Sequence, residues 1–118
     1  EQDLLLEAVE SRDLNLATLL LGFGKDPNLT DMNGKTPLRY AAKNGHVDMI
    51  NLLLKYGADI DYQNKEGVTA LMMTSFTGDA ATASYLLDHH ASVDIMNKNN
   101  WTALNIASHR NYSHYVSL

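Results

Sequence analysis

Gly34-Lys35-Thr36-Pro37-Leu38-Arg39-Tyr40-Ala41-Ala42-Lys43-Asn44-Gly45-His46 reads as one helix with its start and stop signals in place. Thr36 is a good N-cap, and Pro37 falls where the first helical residue would be, so its missing N–H costs nothing. Leu38, Ala41 and Ala42 follow at helical spacing and are small enough for a neighbouring helix to approach closely. Gly45 supplies a left-handed stop. A second helix then carries Val47, Met49, Ile50, Leu52, Leu53 and Leu54 and ends at Gly57, before Asp59-Ile60-Asp61 leads out in an extended conformation. The stretch is a helix–turn–helix unit that cannot bury its apolar faces alone.

The unit returns at a fixed offset. A shift of 33 takes Asp31 to Asn64, Gly34 to Gly67, Thr36 to Thr69, Leu38 to Leu71, Gly45 to Gly78, and Leu53-Leu54 to Leu86-Leu87. A second shift reaches Asn97, Thr102, Leu104 and Ala107, and a backward one reaches Leu5, Ala8, Leu19–Leu21, Gly24 and Asp26. The chain therefore divides into units at 1–30, 31–63, 64–96 and 97–118 of one domain. The first lacks Thr-Pro and carries Arg12 in place of the turn glycine, with Asp3 as a cap and Glu1, Glu7 and Glu10 facing outward. Leu4 and Leu6 leave open a further repeat upstream. In the third, Thr82 and Ala83 replace Met49 and Ile50, at roughly 0.8 kcal/mol per lost methylene, which makes it the softest segment. His90 stands there for the left-handed glycine, and Asn111 does so in the fourth. The fourth unit stops at Leu118, which aligns with Leu52, so a longer array is expected beyond it.

This pattern resembles the ankyrin repeat. The family's Asp-x-x-Gly-x-Thr-Pro-Leu-His-x-Ala-Ala, Gly-His and Gly-Ala-Asp are met at Asp31, Gly34, Thr36, Pro37, Leu38, Ala41, Ala42, Gly45, His46, Gly57, Ala58 and Asp59. Arg39 replaces the motif His. The resemblance implies an all-α ankyrin-repeat solenoid with projecting hairpin-like turns around Met32–Lys35, Lys65–Val68 and Lys98–Trp101. It also implies a concave groove of turn tips and first helices that binds a protein or peptide partner. By position the contacts are Met32, Asn33, Lys35, Lys65, Glu66, Val68, Lys98, Asn99 and Trp101 on the tips. On the first helices they are Tyr40, Lys43, Asn44, Met73, Phe76, Thr77, Ile106, His109 and Arg110. Trp101 and Phe76, with Arg110 near, have the composition of binding hot spots; the competing reading is packing between neighbouring tips.

Composition excludes several other classes. Lys+Arg number 9 against 14 Asp+Glu, a net charge of −5, and the basic residues are scattered, so no nucleic-acid footprint exists. Apolar runs such as Leu4–Leu6 and Leu19–Leu21 are too short to span a bilayer, so no membrane insertion is expected. No signal peptide is visible, although the chain does not begin with Met. Cys is absent, which removes disulfides and thiolate metal sites and fits a reducing cytosol or nucleus. An intracellular setting is expected, including that of a bacterial protein delivered into a host cell, with the chain monomeric by itself.

Catalytic and metal chemistry find no constellation. His89 and His90 are adjacent and so diverge on a helix, His109 and His114 are badly spaced for a shared face, and no His-Glu-x-x-His pattern is present. His46 is expected as a structural hydrogen-bonding residue. Asp59–Gln63 opens like a calcium loop, but Asn64 and Ala70 stand where Gly and Glu are needed. Gly22-Phe23-Gly24-Lys25 lacks phosphate-loop spacing, and Ser11, Ser75 and Ser108 have no His and carboxylate arranged for them. No cofactor, metal or enzymatic activity is expected. Two other readings stay open: a regulatory or targeting segment of a larger enzyme or channel, and oligoadenylate binding as in one ankyrin-containing ribonuclease family, against which the charge of −5 argues.

Overall fold

The computed structural model describes residues 3–111 and 116. Among the described residues the chain is helical, with no strand. The first-helix series is α1 (Leu4–Glu10), α3 (Pro37–Asn44), α5 (Ala70–Thr77) and α7 (Ala103–His109). The second-helix series is α2 (Leu14–Gly22), α4 (Val47–Lys55) and α6 (Ala80–Asp88). Within each series the starts fall 33 residues apart, because the same capping chemistry recurs. Asp3, Thr36, Thr69 and Thr102 cap the first helices, each side chain accepting from a backbone N–H of the opening turn. Asp13 and Asp79 cap α2 and α6 in the same way. His46 does not cap α4, and its Nδ1 is buried with no hydrogen-bond partner, so the bonding role expected for it is not made.

The turns also repeat. Residues with positive φ fall into three series at the same offset: Arg12, Gly45, Gly78 and Asn111; Gly24, Gly57 and His90; Gly34, Gly67 and Asn100. Arg12, His90, Asn100 and Asn111 hold φ between 59° and 70° without being glycine. The fold therefore imposes the left-handed residue at these places whatever the sequence supplies. Ile60 and Asp61 form a turn where an extended lead-out was expected.

The chain forms two compact units, Glu1–Asp59 and Ile60–Leu118. In the first, α1 packs on α2, α3 on α4, α1 on α3 and α2 on α4, so two antiparallel pairs stack in register. Leu5, Val9, Ala17, Leu21, Leu38, Ala41, Ala42, Met49, Ile50 and Leu53 are buried there. Alanines at the α1 and α3 crossings let the backbones approach, and the leucines fill the second layer. Leu6 is buried whereas Leu4 is exposed, so only one of the two leucines adds apolar surface. Arg12 forks onto Asp48, with Nη2 3.1 Å from Oδ2 and Nε 3.2 Å from the same oxygen. Lys25 Nζ lies 2.7 Å from Asp3 Oδ2. Asn28 joins the two repeats: its Nδ2 donates to Gly57 O at 3.1 Å and its Oδ1 accepts from Asp59 N at 2.7 Å.

In the second unit α5 packs on α6 and on α7. Leu71, Met72, Ala83, Leu86, Ala103 and Ala107 are buried. Thr82, one of the two substitutions that thin α6, is buried as well, and its hydroxyl donates to Asp79 Oδ2 at 2.6 Å. Asp61 repeats the role of Asn28, its Oδ1 accepting from Ser92 N at 2.9 Å.

Candidate functional site

Each turn tip is built on one Asx residue. Asp31 N donates to Lys35 O at 3.0 Å, Gly34 N returns a bond to Asp31 O, and Asp31 Oδ1 accepts from the N–H groups of Asn33 and Lys35 at 2.9 Å each. Asn64 makes the same four bonds across Glu66–Val68, and Asn97 makes them across Asn99–Trp101. A side chain that satisfies both turn N–H groups leaves the apex residues unneeded for folding.

In the second unit the two tips are tied together. Lys98 N donates to Glu66 O at 2.8 Å, and Gln63 Nε2 donates to both Gly67 O and Met96 O at 3.0 Å. Gly67 has φ of 79°, and a Cβ there would sit 2.9 Å from Asn97 Cα and from Lys98 N. Close approach as well as backbone handedness therefore demands glycine at this tip.

The structure sorts the expected contact residues into three groups. Met32, Asn33, Lys43, Asn44, Lys65, Glu66, Thr77, Lys98, Asn99, Trp101, His109 and Arg110 are exposed. Lys35, Tyr40, Val68 and Phe76 are half-buried. Met73 and Ile106 are buried, at 7% and 4% exposure, and are corrected to packing residues that present little surface. Both occupy the register of Tyr40, which α1 and the first tip leave partly open. Trp101 meets His109 edge to face at 5.1 Å, so part of its ring is used within the unit.

Tyr40 and Asp31 form a hydrogen-bonded pair at the base of the first tip. The Tyr40 hydroxyl donates to Asp31 Oδ2 at 2.7 Å. Burial first, then the Asp31 carboxylate, pushes the phenol up to about 12. Burial alone would raise Asp31, but the bonds from Lys35 N, the Tyr40 hydroxyl and Asn33 N outweigh it and hold the carboxyl below its ordinary range. Asp3 behaves alike: burial pushes it up, and Lys25 with the N–H groups of Leu5 and Leu6 brings it below its ordinary value. These two aspartates, with Leu6, Glu10, Met32 and Tyr40, line a cavity of about 570 Å³.

A second cavity, of about 460 Å³, is lined by Asn15, Thr18, Leu19, Gly22, Phe23 and Tyr56 on α2 and after α4. It was not anticipated from the sequence. The available signal was Phe23, an aromatic beside a helix-stop glycine, which stands 85% exposed. The histidines fall apart as a group: His89 stacks on Tyr85 at 4.3 Å, His109 meets Trp101, and His114 lies outside the described residues. Among the described residues no three His, Cys, Asp or Glu side chains are placed to hold a metal ion, and no helix is long and apolar enough to cross a membrane.

A protein-family model described as ankyrin repeats (3 copies) matches residues 5–96 and 54–118. No curated protein matches the chain.

Proposed function

The chain belongs to the ankyrin-repeat family, and on that premise we propose that it binds a protein or peptide partner through its turn tips and the adjoining faces of its first helices. Ankyrin repeats are generally non-catalytic protein–protein interaction modules. The observation that carries the finer reading is the division of labour within each tip. Asp31, Asn64 and Asn97 hold the turn, while apex residues such as Met32, 92% exposed, project from it. Met32 and Trp101 offer apolar anchors, and Asn33, Lys65, Glu66, Lys98 and Asn99 offer polar discrimination around them. A preordered tip loses little conformational entropy on binding.

The test compares three forms of the chain immobilised on resin: wild type, Met32→Ala/Trp101→Ala, and Leu19→Ala/Phe23→Ala. Proteins held by the wild type and the second-helix variant but lost from the tip variant support recognition by the tips. Loss from the Leu19/Phe23 variant alone would move recognition to the other face. Circular-dichroism melts of all three exclude unfolding as the cause.

A further inference from the structure

We propose that Asn33, at the apex of the first tip, is a site of spontaneous deamidation. Asn33-Gly34 and Asn44-Gly45 are the two places in the chain where an asparagine precedes a glycine. Without a Cβ to shield it, a glycine nitrogen can approach the preceding side chain closely. The Gly34 nitrogen gives its proton to solvent and bonds to Asn33 Cγ, the Cγ–Nδ2 bond breaks, and Nδ2 leaves as ammonia. Water then opens the cyclic imide, at Cγ to leave aspartate or at the main-chain carbonyl carbon to leave isoaspartate. Water is taken up and ammonia released, with no change of oxidation state. The product adds one negative charge to a formal net charge of −5.

The fold creates this pairing and decides between the two candidates. Each tip demands a left-handed residue after its apex, and Gly34 meets the demand with φ of 76°. Asn33 is exposed in the turn, and the Gly34 N–H donates to Asp31 O at 3.0 Å. Asp31 Oδ1 also holds the N–H groups of Asn33 and Lys35, so the nucleophile is released when this clamp opens. That opening moves exposed apex residues and no part of the core. Asn44 is exposed too, but it closes α3, and the Gly45 N–H donates to Ala42 O at 3.2 Å. Freeing that nitrogen unwinds the last turn of a helix whose Ala41 and Ala42 are fully buried. Asn99 shares the apex register of Asn33 and the same Asx clamp, but Asn100 follows it and sets a side chain beside the nitrogen. In the second tip that register holds Glu66, so the turn accepts a carboxylate there. Conversion of Asn33 to aspartate therefore exchanges an amide that donates for oxygens that only accept.

The full chain is incubated in mildly alkaline buffer, once folded and once in guanidinium chloride. Its asparagine-containing peptides are then followed by mass spectrometry, with aspartate and isoaspartate products resolved by chromatography. In the folded chain Asn33 should convert about tenfold faster than Asn44 or Asn99. In denaturant Asn33 and Asn44 should agree to within about twofold, because both precede glycine, while Asn99 stays slow. Asp31→Ala removes the clamp oxygen and should speed conversion of Asn33 by about threefold or more. Asp31→Asn keeps an acceptor, as Asn64 and Asn97 do, and should not. Circular-dichroism melts establish that both variants are folded; if Asp31→Ala is not, the wild-type comparison decides alone. Asn44 or Asn99 converting as fast as Asn33 in the folded chain overturns the inference. So does one Asn33-to-Asn44 ratio in folded and denatured chains, or an unchanged rate in folded Asp31→Ala.

Discussion

Tyr40 and Asp31 share one carboxylate between two tasks: Oδ1 closes the first tip, and Oδ2 accepts the Tyr40 hydroxyl at 2.7 Å. The neutral phenol is favoured in the folded chain, where it is pushed up to about 12 from an ordinary value of 10.0. Its contribution to stability is therefore complete below pH about 10 and is lost as the pH rises towards about 12. Asp31 has the opposite sign: its contribution is present above the ordinary value of 3.8 and fades as the pH falls below that. In an absorbance titration Tyr40 should ionise late, and so should Tyr85, whose phenol burial also pushes up. Tyr40→Phe should remove one late ionisation and leave that of Tyr85, and Asp31→Asn should bring the Tyr40 step earlier. An unchanged late amplitude in Tyr40→Phe would show that the pair does not perturb the phenol.

Gly67 and Gly57 separate two reasons for glycine. At Gly57, φ is 97° and a Cβ would meet nothing within 4 Å, so Gly57→Ala should cost only the left-handed strain, roughly 1–2 kcal/mol. At Gly67 the same strain is joined by a clash with Asn97 Cα and Lys98 N at 2.9 Å, both backbone atoms that cannot rotate away. Gly67→Ala should therefore cost more, roughly 2–4 kcal/mol when overpacking is added. Urea unfolding of the two variants measures the difference; equal losses would mean that the tips of the second unit part without cost.

The helix pairs were legible in the sequence because each residue of the Thr36–Gly45 pattern carries one local instruction. A cap, a first-turn proline, a small apolar face and a left-handed stop require no knowledge of neighbours. Even degenerate positions could be read by register, and Arg12, His90 and Asn111 do adopt positive φ. What could not be read locally was exposure. Tyr40, Met73 and Ile106 share one register, yet the first is half-buried and the other two are buried. The cavity beside Tyr40 depends on what α1 and Leu29–Asn33 place around it. The turn at Ile60–Asp61 was missed for a similar reason: Asp61 is drawn to Ser92 N, a partner 31 residues away.

His90 offers a stabilising substitution. It holds φ of 70° at the end of α6 with its side chain exposed. Glycine removes a left-handed penalty of roughly 1–2 kcal/mol and returns roughly 0.4–1 kcal/mol as unfolded-state entropy. His90→Gly should therefore raise stability by about 0.5–1 kcal/mol, seen as a higher urea midpoint at unchanged slope. A lower midpoint would show that the imidazole contributes more than its exposure suggests.

Leu53 gives the scale against which these effects are judged. It is fully buried in α4, and Leu53→Ala should cost roughly 2–5 kcal/mol by lost transfer energy and cavity formation. A loss below 1 kcal/mol on the same urea scale would mean that α2 and α4 collapse into the gap.

Asn28 should matter locally more than globally. Its amide accepts from Asp59 N and donates to Gly57 O, so one side chain fixes the exit of the following repeat. Neither backbone group lies in the core, and water can replace the lost partner at each, so Asn28→Ala should cost only roughly 1–2 kcal/mol for the two bonds. The Asp59 amide, however, loses the acceptor that Asn28 Oδ1 supplies. Hydrogen exchange should therefore speed up at Asp59 by an order of magnitude or more, while amides in the centre of α4, held by their own helix, slow or quicken only with the global stability. Asn28→Asp keeps the oxygen that accepts from Asp59 N and gives up the donor to Gly57 O. It should restore protection at Asp59 with only part of the stability. Exchange at Asp59 unchanged by Asn28→Ala would mean that the turn holds itself, and that the contact joins the repeats without ordering them.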